Sequence, residues 1–123
     1  FAAIAPASGA TVESPCTPSR PVTVVAFRGL TDNLVPYDGG MPLQWYFQGA
    51  MADFNEWRGL DKCTGTPTSN TNGVCQTDSQ CAGGAAVTLC TINGGHVVYG
   101  PAQAEGAAVP DVAWQVFQSH PMP

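Results

Sequence analysis

Basic side chains are scarce. Arg20, Arg28, Arg58 and Lys62 are the four Lys and Arg among 123 residues, and the net charge is -5. They are scattered along the chain, so nothing in it neutralises a row of phosphates, and nucleic acid is not an expected partner. Long apolar runs are missing too. None approaches the roughly 20 residues of a membrane span, so no membrane partner is expected. Charged residues make up 11% of the chain and hydrophobic ones 44%, a balance that excludes a disordered tail. The intervals Cys63–Cys75 and Cys75–Cys81 lack a CxxC knuckle, and no histidine lies near them. A zinc site is not expected there, and no cofactor is expected elsewhere.

Thr, Ser, Gly, Asn and Pro occupy the surface segments where Lys and Glu would otherwise sit. Five cysteines, Cys16, Cys63, Cys75, Cys81 and Cys90, fall in or beside these segments. The pattern favours an oxidising, extracellular compartment and two disulfides with one thiol left over. Each bridge contributes about 2–4 kcal/mol. Spacing alone does not choose the pairing. Cys16 stands apart from the cluster at 63–90 and is the candidate for the unpaired thiol.

The segment Phe1 to Ala7 is short and apolar, as in a strand buried on both faces. Ser8 to Arg20 is a loop rich in Pro and Ser. Val22 to Phe27 is β-branched and continuous rather than alternating, which suits a parallel sheet covered on both sides. After Gly39-Gly40, Phe47, Ala50, Met51, Phe54, Trp57 and Arg58 recur at helical spacing, with Leu43 and Tyr46 one turn earlier. This predicts an amphipathic helix of about 15–18 residues ending near Gly59. Cys63 to Gly84 is a long polar segment, and the three cysteines in it imply stapling. Ala86 to Ile92 is a third strand, and Gly100 to Pro110 a loop. A last helix starts near Pro110, with Val109, Val112, Ala113, Val116 and Phe117 on one face, and stops at Pro121. Strand–helix–strand order with continuous apolar strands implies parallel pairing and a right-handed crossover. The expected class is α/β: mostly parallel strands, covering helices and a disulfide-stapled loop, in a single unit over 1–123. A core strand at residue one and an odd cysteine count imply that the chain is the back part of a larger protein.

Chemistry concentrates in two places. "VTVVAFRGLTDNLVP" delivers Asp32 shortly after one strand, and "AVTLCTINGGH" delivers His96 shortly after another. In open parallel sheets functional residues gather at the carboxyl ends of strands. If these strands are neighbours, acid and imidazole share a rim. Gly29, Gly94 and Gly95 are read as allowing sharp turns there. A carboxylate that orients an imidazole is what a nucleophilic hydrolase requires. Each residue also has a plainer reading. Asp32 caps a turn before Pro36, and His96 bonds loop backbone. Asp38 is a rival acid but reads as a turn residue. His120, in Ser-His-Pro, reads as structural or exposed. The order acid-then-histidine is the second half of Ser…Asp…His in α/β-hydrolases. Ser8, Ser14 and Ser19 all lack a Gly-x-Ser-x-Gly elbow.

Taken together, "FAAIAPASG", "SPCTPSRPVTVVAFRGLTDNLVPYDGG", "TLCTINGGH" and "FQSHP" resemble the C-terminal portion of secreted polyhydroxybutyrate-depolymerase-type and feruloyl-type serine esterases. The resemblance spans nearly the whole chain. It implies the C-terminal part of an α/β-hydrolase fold, with nucleophile, oxyanion hole and first strands upstream of Phe1. It implies Asp32 as catalytic acid, His96 as catalytic base, and a polyester or feruloyl/aryl ester as substrate, with the segment inactive alone. Two departures bear on the substrate pocket. Arg28-Gly29 stands where the family usually has His-Gly, and Val98-Tyr99-Gly100 where it tends to have Trp-Pro-Gly. The other reading is a non-catalytic extracellular interaction module whose exposed strand edge pairs with a partner.

Overall fold

The computed structural model describes residues 2–11, 16–70, 72–101 and 107–121. In β2 (Thr23–Gly29) all seven residues are buried. Burial on both faces is why this run does not alternate with polar residues. Val25 and Phe27 point into one apolar cluster, together with Cys90, Ile92 and Tyr99. Val24 and Ala26 point into the opposite one, with Val87 and Leu89. The first face is covered by α2 (Val109–Ser119), through Val112, Ala113, Val116 and Phe117. The second is covered by α1 (Ala50–Leu60), through Ala50, Phe54 and Trp57.

Among the described residues, five strands form one mixed sheet in the order β1-β2-β5-β4-β3, the α/β arrangement expected. β1 (Ala3–Ile4), β2 and β5 (Val87–Ile92) are parallel. The segment read as a stapled loop does more than close on itself. It supplies β3 (Thr68–Ser69) and β4 (Cys75–Asp78), which extend the sheet antiparallel from β5. Asn72-Gly73 at the turn, with Gly73 at φ 73°, was the sequence signal for this hairpin. Disulfides join Cys63 to Cys81 and Cys75 to Cys90. The second links residues directly opposite each other on β4 and β5, so it pins the hairpin to the sheet. Each closes a loop of the length for which chain entropy gives about 3 kcal/mol. Cys16 is free. Asp78 lies close to Cys63 and Cys81. Their sulfurs are joined to each other, however, and the Asp78 carboxylate pairs with Arg58 at 3.0 Å.

Two boundaries differ from expectation. β1 is shorter than the apolar run of which it is part; Ala7 makes a single further bridge to Phe27, and Phe1 lies outside the described residues. The first helix has 11 residues and starts only at Ala50. Before it, Gly40 and Phe47 exchange backbone hydrogen bonds of 3.0 and 2.7 Å and close a loop. Pro42 and the left-handed Leu43 and Gln44 (φ 53° and 69°) sit in that loop, and none of them continues a helix. Leu43 and Tyr46 are exposed, so their helical spacing has no helix to serve.

Asp61, the residue that ends α1, is completely buried. It accepts one hydrogen bond, from Val22 N–H at 3.0 Å, and its Oδ2 has no partner among the described residues. Burial raises its pKa, and the bond from Val22 partly opposes the rise. The folded protein therefore holds this proton more tightly than the unfolded chain does. Its contribution to stability falls as pH rises from the ordinary carboxylate range through the raised value. Asp61→Asn retains an acceptor for Val22 and carries no charge. It is expected to raise the melting temperature at pH 7, with the gain shrinking toward pH 3–4. A lower melting temperature at pH 7 would contradict this.

Candidate active site

The register sets the site. β2 and β5 pair from Val24↔Val87 to Gly29↔Ile92, so the two strands end level with each other. The loops leaving them are laced together. Leu30 N–H donates to Ile92 O at 2.8 Å, and Thr31 N–H to Gly94 O at 3.1 Å. Asp32 and His96 emerge from these loops on one rim.

Asp32 is buried, and its two oxygens divide the work. Oδ1 accepts hydrogen bonds from Leu34 N–H at 2.9 Å and Val35 N–H at 2.8 Å. This is the turn-capping role that the plainer reading gave it. Oδ2 lies 3.0 Å from His96 Nδ1, with Oδ1 at 3.2 Å. The two readings of Asp32 are thus one structure: backbone donors hold the carboxylate still while it faces the imidazole. A carboxylate only accepts, so Nδ1 carries a proton and Nε2 is the basic nitrogen. The His96 side chain is 39% exposed against 1% for Asp32. No hydrogen bond to Nε2 exists among the described residues. Such a ring can take a proton from a hydroxyl brought to Nε2 and hand it on.

Close packing explains two of the three glycines. Gly29, Gly94 and Gly95 all lack positive φ, so they are not there for an unusual turn. A Cβ on Gly29 would overlap Gly94 O and the Tyr99 hydroxyl. One on Gly94 would stand 2.9 Å from Tyr99 Cε1. Gly95 has room for a Cβ, which would meet only Thr31 O at 4.0 Å. Tyr99 is the pillar against which both loops rest. It is fully buried, and its hydroxyl donates to Gly95 O, next to His96. In the sequence Tyr99 stands out only as a departure from a family pattern, because this role depends on contacts with Gly29 and Gly94 that no local motif displays.

Arg28, the other departure, is also fully buried. One of its terminal nitrogens, NH2, donates to Pro36 O at 3.1 Å and Gln48 O at 3.3 Å. The other, NH1, faces Asp53 at 3.6 Å. Asp53 in turn accepts from Thr11 N–H and the Thr11 hydroxyl at 3.3 and 2.6 Å. Burial lowers the Arg28 pKa, opposed first by Asp53 and then by Asp32. Arg28 thus fastens the far end of the Asp32 loop from beneath and does not enter the site.

Asp38 is exposed and makes no hydrogen bond to His96. His120 is remote from the pair: its Nδ1 lies 3.0 Å from Gly84 O, before the start of β5 and hence at the opposite end of the strand from His96. Ser14 lies outside the described residues. No helix among the described residues is long and apolar enough to cross a membrane.

The chain is similar to Feruloyl esterase B of Piromyces equi, with 38% identity over 116 residues. The match covers 88% of this chain and 20% of the relative, so the chain spans about a fifth of that protein's length. The similarity marks a feruloyl-esterase-type relationship. No protein-family profile matches the chain, and no solved structure does.

Proposed function

We propose that the chain is the C-terminal part of a secreted carboxylic-ester hydrolase of the α/β-hydrolase type, working by a Ser-His-Asp mechanism. One observation carries the proposal: Asp32 Oδ2 and His96 Nδ1 lie 3.0 Å apart at the ends of adjacent parallel strands. In this reading a serine outside these residues attacks the ester carbonyl while His96 Nε2 takes its proton. The imidazolium, stabilised by Asp32, then protonates the departing alcohol. Water, activated by the same nitrogen, releases the acid from the acyl-enzyme. The similarity to a feruloyl esterase favours an aryl-substituted acyl group over a polyester. The two disulfides support an extracellular location. Without nucleophile and oxyanion donors, residues 1–123 alone are inactive in this account.

The test is to label the full-length chain with a serine-directed phosphonate and map the adduct. The expected result is one modified serine outside these 123 residues, with ester hydrolysis lost in step. A fully active chain that takes no label, or takes it on Ser8 or Ser19, would refute the assignment.

A further inference from the structure

We propose that Ser8 is a positioning residue that fixes the His96 loop by a two-way hydrogen bond to Val97. The inference rests on the reading of His96 as the general base. Ser8 lies just past β1, 89 positions from Val97 in sequence, and is buried. Its hydroxyl donates to Val97 O at 2.8 Å and accepts from Val97 N–H at 3.1 Å. Val97 O has no other partner among the described residues. The backbone at Ser8 is itself anchored, since Ser8 N–H donates to Phe27 O at 2.9 Å, and Phe27 N–H to Pro6 O at 2.9 Å. One residue thus spans from the first strand, over β2, to the residue that follows the imidazole.

The conformation of Ser8 argues that the hydroxyl is the reason a serine stands there. Its φ is 51°, a left-handed value that glycine adopts freely and other residues adopt at a cost. Were the position needed only for its backbone turn, glycine would serve better. With its proton given to Val97 O and a lone pair taken by Val97 N–H, the hydroxyl is also not a free nucleophile. Its place is beside the machinery, with no contact to a reacting atom.

Loop residues near His96 have few other restraints. The side chains of Val97 and Val98 are exposed, and Val97 N–H otherwise reaches only Gly95 O at 3.1 Å. Tyr99 holds the loop from one side and Ser8 from the other. Loss of the second tether lets the imidazole turn away from Asp32, and small displacements of a catalytic group cost up to about 10²-fold in rate.

Ser8→Gly is the informative variant, because glycine fits the backbone and removes only the tether. In the full-length chain with ¹⁵N-labelled histidine, the hydrogen-bonded Nδ1–H of His96 should give a resolved proton resonance. In Ser8→Gly that resonance should broaden or vanish by exchange with water. The kcat for a small aryl ester should fall roughly 10- to 100-fold with KM unchanged. A Ser8→Gly protein that keeps both the resonance and kcat overturns the proposal. Loss of the resonance with kcat intact would leave Ser8 as the tether and refute a catalytic role for the Asp32–His96 pair. If the unmutated protein shows no such resonance, the Asp32–His96 bond is not held against exchange with water, and a tether that fixes it is refuted.

Discussion

Asp32→Asn in the full-length protein is expected to lower turnover of a small aryl ester by about 10⁴-fold while leaving the fold intact. The geometry says why the loss is large. Oδ1 accepts two backbone N–H groups, from Leu34 and Val35. An asparagine must keep its oxygen there, because its amide nitrogen cannot accept. The NH2 group then replaces Oδ2 and donates toward His96 Nδ1. The imidazole responds by moving its proton to Nε2, the nitrogen that should be basic. Size and packing hardly change, so a stability assay should detect little while kcat collapses. Full turnover in Asp32→Asn would remove Asp32 from the mechanism. If the chain is instead a non-catalytic module, the same substitution should alter no ester hydrolysis anywhere in the protein.

Arg28→Met is expected to destabilise the fold by about 3–5 kcal/mol, measured by urea unfolding. The guanidinium is fully buried. Removing it strands Asp53 in the interior without its cation and deprives Pro36 O and Gln48 O of their donor. The arginine is not itself well served, since Nε and NH1 lack hydrogen bonds among the described residues. The pair is therefore costly to hold and more costly to break. Arg28→Met combined with Asp53→Asn should recover part of the loss, because no uncompensated charge remains and Thr11 can still be bonded. If Arg28→Met unfolds at the same urea concentration as the unmodified protein, the guanidinium does not hold the loop.

The parts of the fold that sequence made legible are those where burial dictates composition. "VTVVAF" and "AVTLCTI" read as parallel strands because both faces are covered, and their level ends place Asp32 and His96 together. The face of α2 was legible from Val109 to Phe117 for the same reason. Legibility failed where local geometry overrode periodicity. Leu43 and Tyr46 keep helical spacing with Phe54, yet Pro42 and a backbone bridge between Gly40 and Phe47 make a loop of that stretch. The β3–β4 hairpin hid in a polar, cysteine-rich segment whose strands are two and four residues long; β3 is exposed, and β4 buries only Cys75 and Asp78, neither of which reads as an apolar strand residue. At the site, Asp32 and His96 were visible as a candidate pair. What locks them was not, because it depends on contacts far apart in sequence: Ser8 with Val97, Tyr99 over Gly29, and Arg28 with Asp53.

A double-mutant cycle on turnover tests most directly whether Asp32 acts through His96. Asp32→Asn, His96→Ala and the combination are assayed in the full-length chain against one ester, with folding checked for each. Acting through one imidazole, the two residues should be strongly non-additive, so the double variant should be no slower than His96→Ala alone. Losses that multiply would mean the carboxylate and the imidazole work independently, and the dyad reading would fail.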